Sequence, residues 1–271
     1  MFKSWAWEAL ATAEARTGVS RLLPNRSNAI LMYHSVGRPG AYGDISRERF
    51  EADLRFLTER YEVVDLPEVL DAPDRGRKRV AITFDDCLEG VYTDALPVIR
   101  EADVPATVFV VADGMDGTVA GLSSTLDADQ LEGLRSDHRI AIGNHTRTHP
   151  NLSAVSGDRL RDEIVGARRA LEDRLGVPVD RFCYPSGDVS EEALSVVRSS
   201  HDIAVTTRQR LISSGDCRHL LPRITGHRSA ARVRWELTDA SDALRRVAAG
   251  AGLVDAHEEP TMPAGIDGSK S

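Results

Sequence analysis

The feature that most constrains the fold is a rhythm of short apolar runs, each closing in a polar tip and leading into a helical pattern. That rhythm is the mark of βα units. The runs fall at residues 29–33, 80–84, 106–111, 139–142, 181–184, 203–206 and 220–224. Helical periodicity occupies 46–60, 89–101, 127–136, 156–175 and 190–200, and Gly176 followed by Pro178 stops the fourth of these. Several runs are almost continuously apolar instead of alternating, which places them inside a parallel sheet covered by helices on both faces. A barrel and a doubly wound sheet both satisfy this α/β pattern. No GxGxxG or GxxxxGK[ST] follows a strand, so the nucleotide-binding grounds for a doubly wound sheet are missing.

A chain of 271 residues with 41% hydrophobic content has enough apolar material for one large α/β domain or two small ones. The 34 basic and 42 acidic side chains leave a net charge of −8 with no cluster of Lys or Arg, so no nucleic-acid partner is expected. No apolar run approaches the ~18 residues of a membrane span, and the amino terminus lacks the apolar core of a secretory signal. The three cysteines, Cys87, Cys183 and Cys217, contain no CxxC pair. Neither a disulfide framework nor a thiolate zinc site is indicated, and a reducing compartment fits best.

Residues 1–24 read as an amino-terminal amphipathic helix ended by Pro24, with Trp5, Ala9, Ala13 and Leu22 as its apolar positions. Trp5, Trp7 and Leu10 also allow a peripheral membrane contact, but Glu8 and Glu14 among Lys3, Arg16 and Arg21 favour packing. The expected catalytic domain spans 25–248. A tail at 249–271, rich in Gly, Pro, Ser and acidic residues, is expected to be disordered. The expected location is cytoplasmic or peripheral to the membrane.

Two constellations carry chemistry. The run at 80–84 ends abruptly in Asp85-Asp86. An acidic pair after a strand often caps the next helix. Adjacent residues at a strand end also point in different directions, so one carboxylate can bind a metal while its neighbour reaches a water on it. The second constellation is His145 and His149, four apart between Gly143 and Pro150, just past the fourth strand. Such a spacing is weak evidence alone, and solvated loop histidines are the plain alternative. Two His and one Asp around an open coordination position suit a catalytic divalent ion such as zinc, whereas a structural site is usually closed by cysteines. Water on such an ion titrates near ~7, so a neighbouring carboxylate needs only modest basicity, and Asp85 is the candidate base.

Thr83-Phe84-Asp85-Asp86 with His145-Thr-Arg-Thr-His149 resembles the polysaccharide deacetylase family, the NodB-homology or carbohydrate esterase family 4 domain. The likeness also takes in 31–36, 105–109, 145–152, 182–187 and 221–224. It implies a distorted (β/α) barrel with seven or so parallel strands and a metal-dependent hydrolase removing acetyl groups from N-acetylated sugars. By motif, Asp85 matches the catalytic base, and Asp86, His145 and His149 match the metal ligands.

The chain also departs from the family pattern. Cys183 stands where the third motif has arginine, and Tyr184-Pro185-Ser186-Gly187 resembles the branch acting on exopolysaccharides such as poly-N-acetylglucosamine. The resemblance makes Tyr184, Ser186 and Gly187 substrate or oxyanion residues, with Ser186 where a backbone amide helps hold the oxyanion. The late Leu-x-His motif is matched only loosely by Ile224-Thr-Gly-His227. His34, ending the first strand, is therefore the expected proton donor, with His227 as the second candidate and a neutral structural histidine as the plain reading of His34. Arg223 is expected to reach Asp85 and hold it ionised in place of the missing arginine, or else to form an ordinary ion pair. Cys87 replaces the glycine that follows the Asp pair, and small-residue packing explains it better than ligation.

The expected reaction is removal of N-acetyl groups from a polysaccharide or sugar precursor by metal-activated water. An O-acetyl esterase or deformylase would use the same groups. A catalytically silent carbohydrate-binding pseudoenzyme is the competing class, prompted by the altered third and fifth motifs.

Overall fold

The computed structural model describes residues 4–19, 25–38, 40–72, 77–115 and 125–251. Its strands in chain order are β1 (Ala29–Tyr33), β2 (Ser35–Val36), β3 (Asp44–Ile45), β4 (Glu62–Val63), β5 (Arg79–Phe84), β6 (Ala106–Val110), β7 (Ile140–Asn144), β8 (Arg181–Cys183), β9 (Ile203–Val205) and β10 (Ile224–Thr225). Seven of them make one sheet in the order β10-β1-β5-β6-β7-β8-β9, every pairing parallel, curled into a half-barrel. The short β4 pairs with the first residues of β5, and β2 with β3 forms a separate parallel ribbon. β1, β6 and β9 are buried along their whole length, as their uninterrupted apolar sequence requires.

The helices are α1 (Ser4–Thr17), α2 (Arg47–Arg60), α3 (Leu96–Ala102), α4 (Ala128–Arg135), α5 (Gly157–Arg161), α6 (Ala167–Leu175), α7 (Glu191–Ser200), α8 (Ala230–Glu236) and α9 (Asp239–Gly250). Ser46, Asp127 and Ser190 cap α2, α4 and α7 by accepting backbone N–H bonds, and Gln130 completes a capping box at Asp127. α6 stops at Gly176, which takes a left-handed conformation.

Several expectations change. The helix at 89–101 opens with a π turn, Val91–Ala95, before α3. The helix at 156–175 divides into α5, a π turn at Asp162–Gly166, and α6. The seventh run, 220–224, pairs regularly only from Ile224: Leu221 bridges to Val205 of β9, and three residues later the chain has crossed to β1. Pro222 has no N–H to offer a ladder, and the Arg223 amide donates to the Arg208 carbonyl.

The amino-terminal helix forms, but its inward face differs from the expected one. Trp5, Ala9 and Ala13 are exposed, while Trp7 and Ala11 are buried. Trp7 lies 4.7 Å from the Arg245 guanidinium, and Ser229 Oγ donates to Glu8 at 2.7 Å, docking α1 on α8. Leu22 and Pro24 lie outside the described residues. α9 continues through Gly250, so the expected tail begins in helix, and residues 252–271 also lie outside the described residues. No described helix is long and apolar enough to cross a membrane.

Candidate metal centre

Parallel strands deliver their carboxyl ends to one rim, and β1, β5, β7 and β8 hand over His34, Asp85-Asp86, His145 and the 184–187 loop there. At the end of β5 the Asp85 amide still bonds to the Tyr33 carbonyl, and then the backbone turns sharply. Asp86 and Cys87 both adopt left-handed φ, 69° and 55°. Thr146, His149 and Ser186 do the same at 69°, 59° and 58°. Such conformations are costly for residues other than glycine and tend to gather where side chains must be aimed.

These turns bring the predicted ligands together. Asp86 Oδ1 lies 3.5 Å from His145 Nε2 and 3.4 Å from His149 Nε2. The His145 Nδ1–H donates to the Cys183 carbonyl at 2.8 Å, which turns Nε2 toward Asp86 and makes it the ligand nitrogen once its proton is lost. Asp86 Oδ1 is buried and has no hydrogen-bond partner. A buried, unpaired carboxylate oxygen opposite two imidazoles is unfavourable unless a cation joins them, so the three residues fit a divalent ion with two nitrogen ligands and one oxygen ligand.

Asp85, His145 and Cys183 also lie within mutual reach. Both Asp85 oxygens are taken by the Arg223 guanidinium, and the nearby positive charge disfavours a second cation. That ion pair joins residues 138 apart in sequence, with two parallel bonds of 2.7 Å, and Arg223 is fully buried. Arg223 also donates to the Thr206 carbonyl and Thr83 Oγ1 and lies 3.1 Å from Cys183 Sγ. Burial alone would raise the Asp85 pKa, but Arg223 overrides it and holds the carboxyl well below the usual carboxylate range. Asp86 is likewise opposed by burial and lowered by His145.

Burial pushes the His149 pKa down to about 4, with His145 adding to the effect. For His145 burial acts downward too, but Cys183 and Asp86 outweigh it and raise its pKa well above the ordinary value. Burial and then the Asp86 charge raise the Cys87 thiol, which sits in the main apolar core. A thiolate is disfavoured there.

His34 and His227 face each other across the rim, with ring centroids 5.6 Å apart. Both Nδ1 atoms are buried without a partner. Gly43, at φ 64°, sits between them: an added Cβ would come within 3.0 Å of His227 Nδ1 and 3.1 Å of His34 Nδ1. Exposed Tyr42 completes an aromatic trio, 4.8 Å from His34 and 5.8 Å from His227. Tyr42 is absent from the sequence expectations because a lone Tyr in a Gly-containing turn carries no signal of its own. Phe109 was also missed. Its ring lies 6.4 Å from His145, close enough to Gly143 that a Cβ there would overlap it at 2.4 Å.

The 184–187 loop divides its roles. The Tyr184 ring lies in an apolar cluster against Phe182, 5.0 Å away, under α7. The Tyr184 amide bonds to the Val205 carbonyl, and the Gly187 amide bonds to the Tyr184 carbonyl. Ser186 is exposed, and its carbonyl accepts from Thr207 Oγ1.

Comparison with known proteins gives these positions a family context. Residues 72–203 match the profile described as polysaccharide deacetylase. The chain is 26% identical to the protein YxkH of Bacillus subtilis over 201 residues, which are 72% of this chain and 70% of that one. It is 36% identical to a chitooligosaccharide deacetylase of Bradyrhizobium over 101 residues, spanning 35% of this chain and only 40% of the relative. The fold matches the Streptococcus pyogenes deacetylase PplD in complex with acetate with a TM-score of 0.68 at 22% identity, covering 80% of this chain and all of that one. Residues 72–203 thus match the polysaccharide deacetylase family, and the half-barrel is the fold of the solved deacetylase that the chain resembles.

Proposed function

We propose that the chain is a divalent-metal deacetylase, with zinc as the first choice of ion, that removes N-acetyl groups from a polysaccharide or a sugar precursor. The observation that carries this reading is the unpartnered Asp86 Oδ1 facing two imidazole nitrogens, beside a second carboxylate fixed by Arg223. An ion held by Asp86, His145 and His149 would acidify water and polarise an acyl carbonyl.

The remaining steps fall to side chains of this chain. Asp85, kept as a carboxylate by Arg223, accepts the proton as water attacks the carbonyl carbon. Of the three amides in the 184–187 loop, those of Tyr184 and Gly187 are already bonded inside the fold, which favours Ser186 as the donor to the developing oxyanion. Cleavage of the C–N bond then requires a proton on the leaving amine. Burial, against Asp85 and Asp86, lowers the His34 pKa, so His34 rests neutral, and the proton it gives the amine must first come to it from Asp85, which took it from the attacking water. His227 is lowered to about 4 by burial and then by His34, which makes it the poorer donor of the two. The exposed ring of Tyr42 beside them offers a face on which a sugar can stack.

The test is acyl release from a panel of N-acetylated oligosaccharides, O-acetyl esters and formamides, each with several divalent metals. Acetate release from the amides, abolished by Asp85→Asn with metal content unchanged, supports the proposal. Release only from esters or formamides reassigns the substrate within the same site. A metal-loaded wild-type protein that binds oligosaccharide and releases no acyl group overturns it in favour of a binding protein.

A further inference from the structure

The turn from Asn144 to His149 carries two of the three ligands, and all five of its amides from His145 onward are bonded. His145 N donates to the Val110 carbonyl, Thr146 N to Asn144 Oδ1, and His149 N to Thr146 Oγ1. The two between them converge on one residue. Glu163 Oε2 accepts from Arg147 N at 3.1 Å and Thr148 N at 2.9 Å, and its Oε1 accepts from Thr148 Oγ1 at 2.7 Å. The Glu163 carbonyl accepts from Arg147 N as well. Glu163 is 4% exposed.

What frees Glu163 for this is the π turn. In a regular α-helix its carbonyl would accept from the amide four residues on, Ala167. Here the Ala167 amide bonds to the Asp162 and Ile164 carbonyls, leaving that of Glu163 to reach outside the helix. The next carbonyl, Ile164, accepts from Asn144 Nδ2 at 2.8 Å, at the other end of the same turn. Asp162 and Arg147 form an ion pair at 2.9 Å across the gap. Gly166 keeps the approach open, since a Cβ there would lie 2.2 Å from Asp162 Oδ1.

We propose that Glu163, displayed by the Asp162–Gly166 π turn, is a positioning residue that holds the left-handed backbone at His149 and so sets the metal affinity of the centre. The inference rests on the metal reading of Asp86, His145 and His149. A buried glutamate that merely ties down a loop would support folding and leave metal affinity alone.

Zinc affinity, measured by competition with a chromophoric chelator, separates the two, with the visible absorption of bound Co(II) as a second readout. Glu163→Ala is expected to weaken zinc binding about 10- to 100-fold and to alter the Co(II) spectrum. Glu163→Gln is expected to stay near wild type, because its amide oxygen can accept from both backbone amides while its NH2 donates to the Thr148 hydroxyl. Thr148→Val, which keeps both amide bonds, is expected to lose about three-fold. Zinc affinity in Glu163→Ala equal to wild type overturns the proposal. Where that variant does not fold, wild-type affinity in Thr148→Val overturns it. Failure of the wild-type chain to bind zinc or cobalt stoichiometrically overturns the metal reading itself, and the role of Glu163 with it.

Discussion

Arg223 decides how Asp85 behaves. A carboxylate this deeply buried would be driven toward its neutral form, and the two-point contact with the guanidinium is the main influence that keeps it ionised. Arg223→Met should therefore do two separable things. The unpaired buried charge should cost about 3–5 kcal/mol of stability. The Asp85 pKa should also rise, moving the acidic limb of the kcat/KM profile for acyl release to higher pH. Adding Asp85→Asn to Arg223→Met should restore part of the stability and none of the turnover, which thermal melts and acetate assays read independently. A single variant with unchanged stability and an unmoved acidic limb would deny Arg223 this role. The Asp-Asp pair and the His-x-x-x-His spacing were legible because chemistry and chain order coincide there. The partnership of Arg223 with Asp85 was legible only as a possibility, since nothing local links residues so far apart in sequence.

The elements that sequence reading places correctly are those with a one-dimensional signature: fully apolar strands, and helices opened by Ser46, Asp127 and Ser190. The π turns at Val91–Ala95 and Asp162–Gly166 have none, because one extra residue per turn barely disturbs a 3.6-residue apolar period. The facing of α1 is a different failure. Trp5 and Trp7 are equally apolar, and it is the tertiary packing of Trp7, with the Arg245 guanidinium over its ring and α8 beside α1, that selects it for burial. Trp7→Ala should cost about 3–5 kcal/mol, whereas Trp5→Ala should stay within about 0.5 kcal/mol of wild type. Denaturation midpoints at constant slope check both. Equal effects at the two positions would mean that α1 does not dock as described.

Buried histidines set how the whole molecule answers acid. Burial lowers His149 and His227 to about 4 and His201 to about 3, and it lowers His34 as well. The unfolded chain protonates each near ~6.5 while the folded chain does not. The unfolded state therefore binds more protons, and stability falls as pH drops from about 6.5 toward 4, by up to ~1.4 kcal/mol per pH unit for each group. His145 runs the other way, because its folded pKa is raised and its contribution is lost as pH rises. One such group against four leaves the metal-free protein weakening in acid. Metal adds a second dependence, since a bound ion requires both His145 and His149 unprotonated. Zinc at about 1,000 times its Kd should contribute about 4 kcal/mol, or a rise in Tm on the order of 10 °C. That increment should grow as pH rises, because the raised pKa of His145 keeps it protonated in the metal-free protein until its proton is removed, and should shrink as pH falls. Asp86→Asn should lose it at every pH, because the only oxygen ligand of the three then carries no charge. Paired melts with zinc and with chelator across a pH series make the comparison. An increment that is flat with pH, or that survives in Asp86→Asn, would place the ion somewhere other than between these three side chains.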